Sequence, residues 1–169
     1  MQNKFYLPVI ILLLIASVST KTLPQTIQAR MQNLTEKSDM ILEGKVVKQN
    51  SSWNQNKTRI FTEVTIQVDE YLKGNSGNKT IVVTTPGGEV GDVGELYTHM
   101  PSFKSDEAVM LFVKEDKRDK SYKVLNGEDG KLTLYKDKKT GEKVTSFNRK
   151  ISNLKKEIKD YVNKKPQQE

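Results

Sequence analysis

The chain has 169 residues, no cysteine, one histidine and a formal charge of +7. That length suits one domain, and the missing thiols exclude disulfides, thiolate nucleophiles and cysteine-held zinc. Hydrophobic residues make up 35% of the chain, but they fall in periodic runs, which points to a folded domain rather than a disordered one.

Residues 1–19 read as a signal peptide. Lys4 gives a positive start, Phe5 to Ala16 is an uncharged apolar run, and Ser17, Val18 and Ser19 are small enough for a peptidase, with cleavage expected after Ser19. The run is shorter than the ~20 apolar residues of a membrane span. An uncleaved anchor is the alternative. Residues 20–165 are then expected to form a single domain, and residues 166–169 a frayed tail. Ile27, Met31 and Leu34 lie at i, i+4 and i+7, one stripe of a short helix with Pro24 near its start and Ser38-Asp39 at its end.

Met40 to Gln49 predicts the first strand, with Gly44 marking a bulge or bend. Asn50 to Lys57 reads as a polar loop carrying Trp53. Arg59 to Leu72 is the strand around which the chain is organised. Ile60, Thr62, Val64, Ile66, Val68 and Leu72 share one face, and the alternation marks a half-buried antiparallel strand. After the turn KGNSGN, Lys79 to Thr85 predicts a third strand. Pro86 to Asp106 is the longest irregular stretch, with four of the ten glycines in PGGEVGDVG. A loop of this length in a compact domain is often functional.

Glu107 to Lys114 is nearly continuous in apolar residues, as a central strand would be. Tyr122 to Leu125, Lys131 to Lys136 and Lys143 to Phe147 predict three short strands, the last two forming a hairpin across DKKTG. A helix is expected from Ser146, as its cap, to Lys164. Phe147, Ile151, Leu154, Ile158, Tyr161 and Val162 form its apolar stripe.

Charge is distributed unevenly. Residues 20–135 hold 16 basic and 16 acidic side chains, whereas residues 136–165 hold 11 basic and four acidic, a surplus of seven. Lys150, Lys155, Lys156, Lys159 and Lys164 are therefore candidate contacts to an anionic surface, against the plainer reading of a docked helix with a solvated lysine face. Nucleic acid is not an expected partner, because the segment lacks interleaved aromatic or arginine-rich patterning.

The chemical motifs are sparse. Pro86, Gly87 and Gly88 precede no GK[ST], so a phosphate loop is not indicated. His99 stands alone, whereas a catalytic zinc wants three protein ligands. No serine lies in a G-x-S-x-G context. No metal, cofactor or catalytic group is expected. The candidate ligand or partner surface is the loop with Pro86, Gly87, Gly88, His99 and Phe103, with Trp53 nearby as a possible anchor.

EGKVV, RIFTEVTIQVDEYLKG, IVVTTPGGEVG and F-x-x-x-E before VMLFV occur in that order between Ile27 and Leu134. This set resembles a family of small exported bacterial proteins of uncharacterised function. The long first strand bent at a glycine, the meander and the later closing strand also look like an OB-type barrel. That architecture is similar to the netrin-like module of tissue metalloproteinase inhibitors, whose zinc-chelating N-terminal cysteine has no counterpart here. The expected fold is thus β-rich α+β, a small antiparallel OB-like barrel with a short N-terminal and an amphipathic C-terminal helix. The expected function is a secreted or envelope-associated, non-enzymatic binding module for a protein or an envelope polymer. Attachment through the basic helix and a hydrolase with a dispersed site are the alternatives.

Overall fold

In the computed structural model, residues 22–118 and 121–164 are described, with side chains from residue 27 onward. The expected signal peptide and tail lie outside the described residues. Two compact units divide the chain, residues 1–30 and 31–169. Helix α1 (Thr22–Lys37) begins in the first, and the sheet and the cleft described below belong to the second. Among the described residues nine strands follow in order. They are β1 (Met40–Trp53), β2 (Ile60–Lys73), β3 (Thr80–Pro86), β4 (Gly88–Val90), β5 (Val93–Glu95), β6 (Ala108–Asp116), β7 (Ser121–Val124), β8 (Lys131–Lys136) and β9 (Lys143–Thr145), before helix α2 (Ile151–Asn163). No described helix is long and apolar enough to cross a membrane.

The alternation in β2 builds the sheet. β2 pairs antiparallel with β1 on one side and β3 on the other. β1 also pairs with β6, β6 with β7, and β7 parallel with β3 at Val83–Tyr122. β1, β2, β3, β7 and β6 therefore close into a ring, and β8 and β9 extend the sheet from β6. The result is a β-rich fold with a large mixed sheet and two helices.

Two apolar cores follow from this closure. Leu42, Val64, Ile66, Val83, Val109 and Leu111 fill the inside of the ring. Ile41, Met110 and Phe112, on the opposite faces of β1 and β6, meet Leu34 of α1 and Leu154 and Ile158 of α2. β6 is thus covered on both faces, which is why its sequence is continuously apolar. In α1 the buried stripe is Met31 and Leu34, while Ile27 is exposed. Lys73 donates to the carbonyls of Thr35 (2.7 Å) and Glu36 (3.0 Å), supplying a cation to the C-terminal end of α1.

Gly44 lets β1 and β2 approach closely, since a Cβ there would lie 2.3 Å from the Gln67 carbonyl oxygen. Gly44 pairs with Val68 and Glu43 with Glu70, leaving Asp69 as an extra residue. A bulge of this kind reverses the alternation. Val68 and Tyr71 accordingly pack with the inner core, whereas Leu72 packs with the outer one. The single-face assignment of Leu72 is corrected for that reason.

The C-terminal helix is also shorter than its periodicity predicts. It begins at Ile151, after Asn148 at φ 57, and Ser146 does not cap it. Thr145 Oγ1 instead accepts from the N–H groups of Phe147 and Arg149, both at 3.3 Å, making a turn. Phe147 lies outside the helix and is exposed.

Glu43 is 2% exposed under α2. Its carboxylate is paired with Lys143 of β9 and Lys155 of α2. Lys155 also reaches Glu70 at 2.7 Å, and Lys159 reaches Glu70 at 3.1 Å. Burial opposes the charged form of Glu43, but the two ammonium groups together outweigh it and hold the carboxyl below its ordinary range. The same lysine contacts depress Glu70. Both groups release protons more readily in the folded chain. Their stabilisation is therefore complete above the ordinary carboxylate value of 4.5 and is lost as the pH falls through the lower folded values. Urea midpoints should hold down to about pH 5 and drop below it, with a shallower drop in Glu43→Gln. Lys155→Met, which strips one cation from a buried carboxylate, should cost about 3 kcal/mol in the same titration at neutral pH.

Candidate functional site

The segment expected to be an irregular loop contains a hairpin. β4 and β5 pair Gly88–Glu95, Glu89–Gly94 and Val90–Val93 around Gly91-Asp92. Gly91 sits at φ 59, as a two-residue primed turn requires. The sequence reading missed these strands because each has three residues, too few to show alternation.

The hairpin lies over the end of β1, β2 and β3 and makes one wall of a cleft of about 780 Å³. Its floor depends on a bulge in β1. Val46 pairs with Ile66 and Lys48 with Thr65, so Val47 is the extra residue. Beyond it Gln49 pairs with Val64 and Ser51 with Thr62, which turns Gln49 and Ser51 inward. Ser51 Oγ and Thr62 Oγ1 are 2.9 Å apart, and Thr62 donates to the Gly87 carbonyl at 2.7 Å. Thr85 lies opposite Thr62 on β3. Hydroxyl and amide groups therefore replace the aliphatic side chains that fill the rest of the ring.

Glu95 fixes the second wall. Its Oε2 accepts from the Ile60 N–H at 3.0 Å and from the Tyr97 hydroxyl at 3.0 Å. That carboxylate holds the Tyr97 phenol above its ordinary value. Leu96, Tyr97, Met100, Pro101 and Phe103 carry the wall onward. Leu96 is 96% exposed, and Val93 and Met100 of the same segment are exposed as well; several apolar groups gathered on one exposed segment, rather than a single leucine, mark an interaction surface.

Phe103 is held from below. Lys131 Nζ lies 5.1 Å from its ring centroid and 2.7 Å from Glu107 Oε1, which also accepts from Thr133 Oγ1 at 2.5 Å. Glu107 Oε2 accepts the Lys104 N–H at 3.0 Å. Burial would raise the Glu107 carboxyl, but Lys131, Thr133 and the Lys104 N–H pull it below the ordinary range.

Of the residues singled out from sequence, Pro86, Gly87, Gly88 and Phe103 line the cleft. His99 and Trp53 do not. The His99 backbone anchors the segment, its carbonyl accepting the Glu128 N–H at 2.9 Å. Its side chain is 84% exposed, with Nδ1 3.4 Å from Glu128 Oε1. Trp53 is half-buried within β1, opposite Ile60, rather than in a loop. The hairpin is tighter than expected because Asn54 Oδ1 accepts the N–H groups of Thr58 (2.8 Å) and Arg59 (3.2 Å).

The lysines proposed for an anionic surface are partly engaged within the chain. Lys155 and Lys159 belong to the Glu43–Glu70 network, and Lys150 pairs with Glu142 at 2.7 Å. Lys164 lies 5.6 Å from the Tyr161 ring centroid, and Lys156 is exposed. Among the described residues, no three His, Cys, Asp or Glu side chains are grouped as metal ligands would be. Compared with known proteins, the chain matches no family model, and no curated protein is similar to it in sequence.

Gly87 and Gly88 form the cleft's frame. Gly87 has φ 94, and a Cβ on it would lie 2.8 Å from the Glu95 carbonyl oxygen. Gly88 has φ 132, and its Cβ would meet Thr62 Oγ1 at 2.3 Å and Ser51 Oγ at 2.4 Å. Gly88→Ala should therefore destabilise the protein by about 1–3 kcal/mol, read as a lower urea midpoint.

Proposed function

We propose that this protein is an exported, non-enzymatic binding module that engages a macromolecular partner through the cleft between the ends of β1–β3 and residues 86–103. The observation that carries this reading is Leu96, 96% exposed on a segment whose backbone is fixed by the β4–β5 hairpin and by Glu95. Exposed apolar groups on a rigid, concave surface are the ordinary make-up of a binding site. Val93 and Met100 on the same segment are 48% and 40% exposed.

The ring order β1-β2-β3-β7-β6, with β3 and β7 parallel, supports an OB-type barrel as the scaffold. Export, read from residues 1–19, is part of the same proposal. So is the family resemblance drawn from the sequence motifs. The non-enzymatic reading is supported by how the polar groups are used. Glu95 is committed to Ile60 and Tyr97, and His99 faces Glu128 rather than the cleft. Attachment through α2 has less support, since Lys155 and Lys159 serve the internal ion-pair network.

A photo-crosslinking amino acid placed at Leu96 tests the reading in the cells that export the protein. Discrete covalent adducts are expected from position 96 and not from Val47, an exposed apolar position outside the cleft. Equal yields at the two positions, or no adduct at 96, would overturn it.

A further inference from the structure

Each glycine of this chain can be asked what keeps it a glycine. Seven have positive φ: Gly74, Gly77, Gly87, Gly88, Gly91, Gly127 and Gly141. Gly44 and Gly130 have no room for a side chain, since a Cβ would lie 2.3 Å and 2.0 Å from backbone oxygens. Gly94 alone has neither reason. Its φ is not positive, and a Cβ would make ordinary contact with Glu89 Cγ at 3.5 Å. It lies in β5, where a glycine weakens the strand and often marks a close approach by another backbone.

The position of Gly94 suits such an approach. Among the described residues β5 pairs with β4 alone. The two-residue turn makes Val90–Val93 the hydrogen-bonded pair beside it, so Gly94, one step on, turns its N–H and C=O to the outer edge of β5. Gly94 lines the cleft. Thr85, which also lines it, is 8% exposed, and its Oγ1 has no hydrogen-bond partner among the described residues. A buried hydroxyl without a partner costs free energy, and a change of the Thr85 rotamer that turned it toward the cleft would let a polar occupant offset that cost.

Charge selects the occupant. Residues 86–103 hold Glu89, Asp92 and Glu95 and no lysine or arginine, in a chain whose net charge is +7. Val93, Leu96 and Met100 add exposed apolar surface to the same segment.

We infer that the occupant is an extended, basic polypeptide segment with alternating apolar side chains, which pairs with the outer edge of β5 at Gly94. Its backbone meets the Gly94 N–H and C=O, its apolar side chains lie on Leu96 and Met100, and its cations face Glu89 and Asp92. This is strand addition to an open edge. It rests on the binding reading above and narrows the partner to a polypeptide of stated charge.

Fluorescein-labelled peptides of alternating lysine and valine, and of alternating glutamate and valine, test it by anisotropy at low and high salt. The lysine peptide should bind, weakening with salt, and the glutamate peptide should not. Gly94→Pro removes the outward N–H while the β4–β5 bonds of Val90 and Val93 stay in place, and should weaken binding by about fivefold, the loss of one backbone hydrogen bond. Glu89→Lys should weaken it as well. In the unsubstituted protein, exchange of the Gly94 amide hydrogen should slow when the lysine peptide is added, a readout independent of any variant. Equal binding of the two peptides, or Gly94 exchange unchanged at saturation, overturns the inference. If position 96 still crosslinks to a partner in either case, the cleft remains the binding site and only the identity assigned to its occupant falls.

Discussion

Closure of the ring rests on β1 serving two neighbours at once. Met40 to Lys45 pair with β6 on one side, while Ile41 to Trp53 pair with β2 on the other. A strand that joins both ends of a curled sheet must bend, and bulges supply the bend. Gly44 sits at one of them, where any side chain would strike the Gln67 carbonyl. The same stretch carries Ile41 outward to the helices and Leu42 inward to the ring. Both cores and the docking of α2 therefore pass through five or six residues of one strand.

The buried polar residue in that stretch is Glu43, and its environment accounts for two of the lysines of the C-terminal segment. An outward-facing position beneath α2 would ordinarily hold an aliphatic side chain. A carboxylate there needs cations, and Lys143 and Lys155 provide them from two elements distant in sequence. An ion pair of this kind adds little net stability over a well-packed apolar pair, but breaking it is costly. Its effect is on register. Lys155 meets both Glu43 and Glu70, so α2 is fixed against neighbouring positions of β1 and β2 rather than resting on apolar contact alone.

The parts of this fold legible in the sequence are those with a sustained period. β2, β6 and β8 sit close to where alternation or apolar continuity puts them, and Gly44 is at a bend. What periodicity cannot carry is the bulge. Asp69 and Val47 each add one residue to a ladder, and each reverses which side chains face inward. The bulge at Val47 is the more consequential, because it brings Gln49 and Ser51 into the cleft. No apolar pattern marks those positions, so the floor of the site was not readable. The walls were half readable. Pro86-Gly87-Gly88 and Phe103 stand out by residue type, whereas Glu95 acts through its contact with Ile60, 35 positions away. Phe147 failed in the opposite way. It fits the helical stripe, yet Asn148 in the left-handed region interrupts the helix before it can join.

Net charge is a poor guide to the surface of this molecule for a related reason. The surplus of seven basic residues falls after residue 135, but part of it is used inside, against Glu43 and Glu70. The carboxylates of residues 86–103 have fewer such obligations. Glu95 is bound to Ile60 and Tyr97, while Glu89 and Asp92 are exposed. At physiological ionic strength exposed charges are screened beyond about 8 Å. A group entering the cleft therefore senses Glu89 and Asp92, while Lys131 beneath Phe103 is paired with Glu107. Local sign is set by which charges the fold consumes and which it leaves exposed, not by the net charge of the chain.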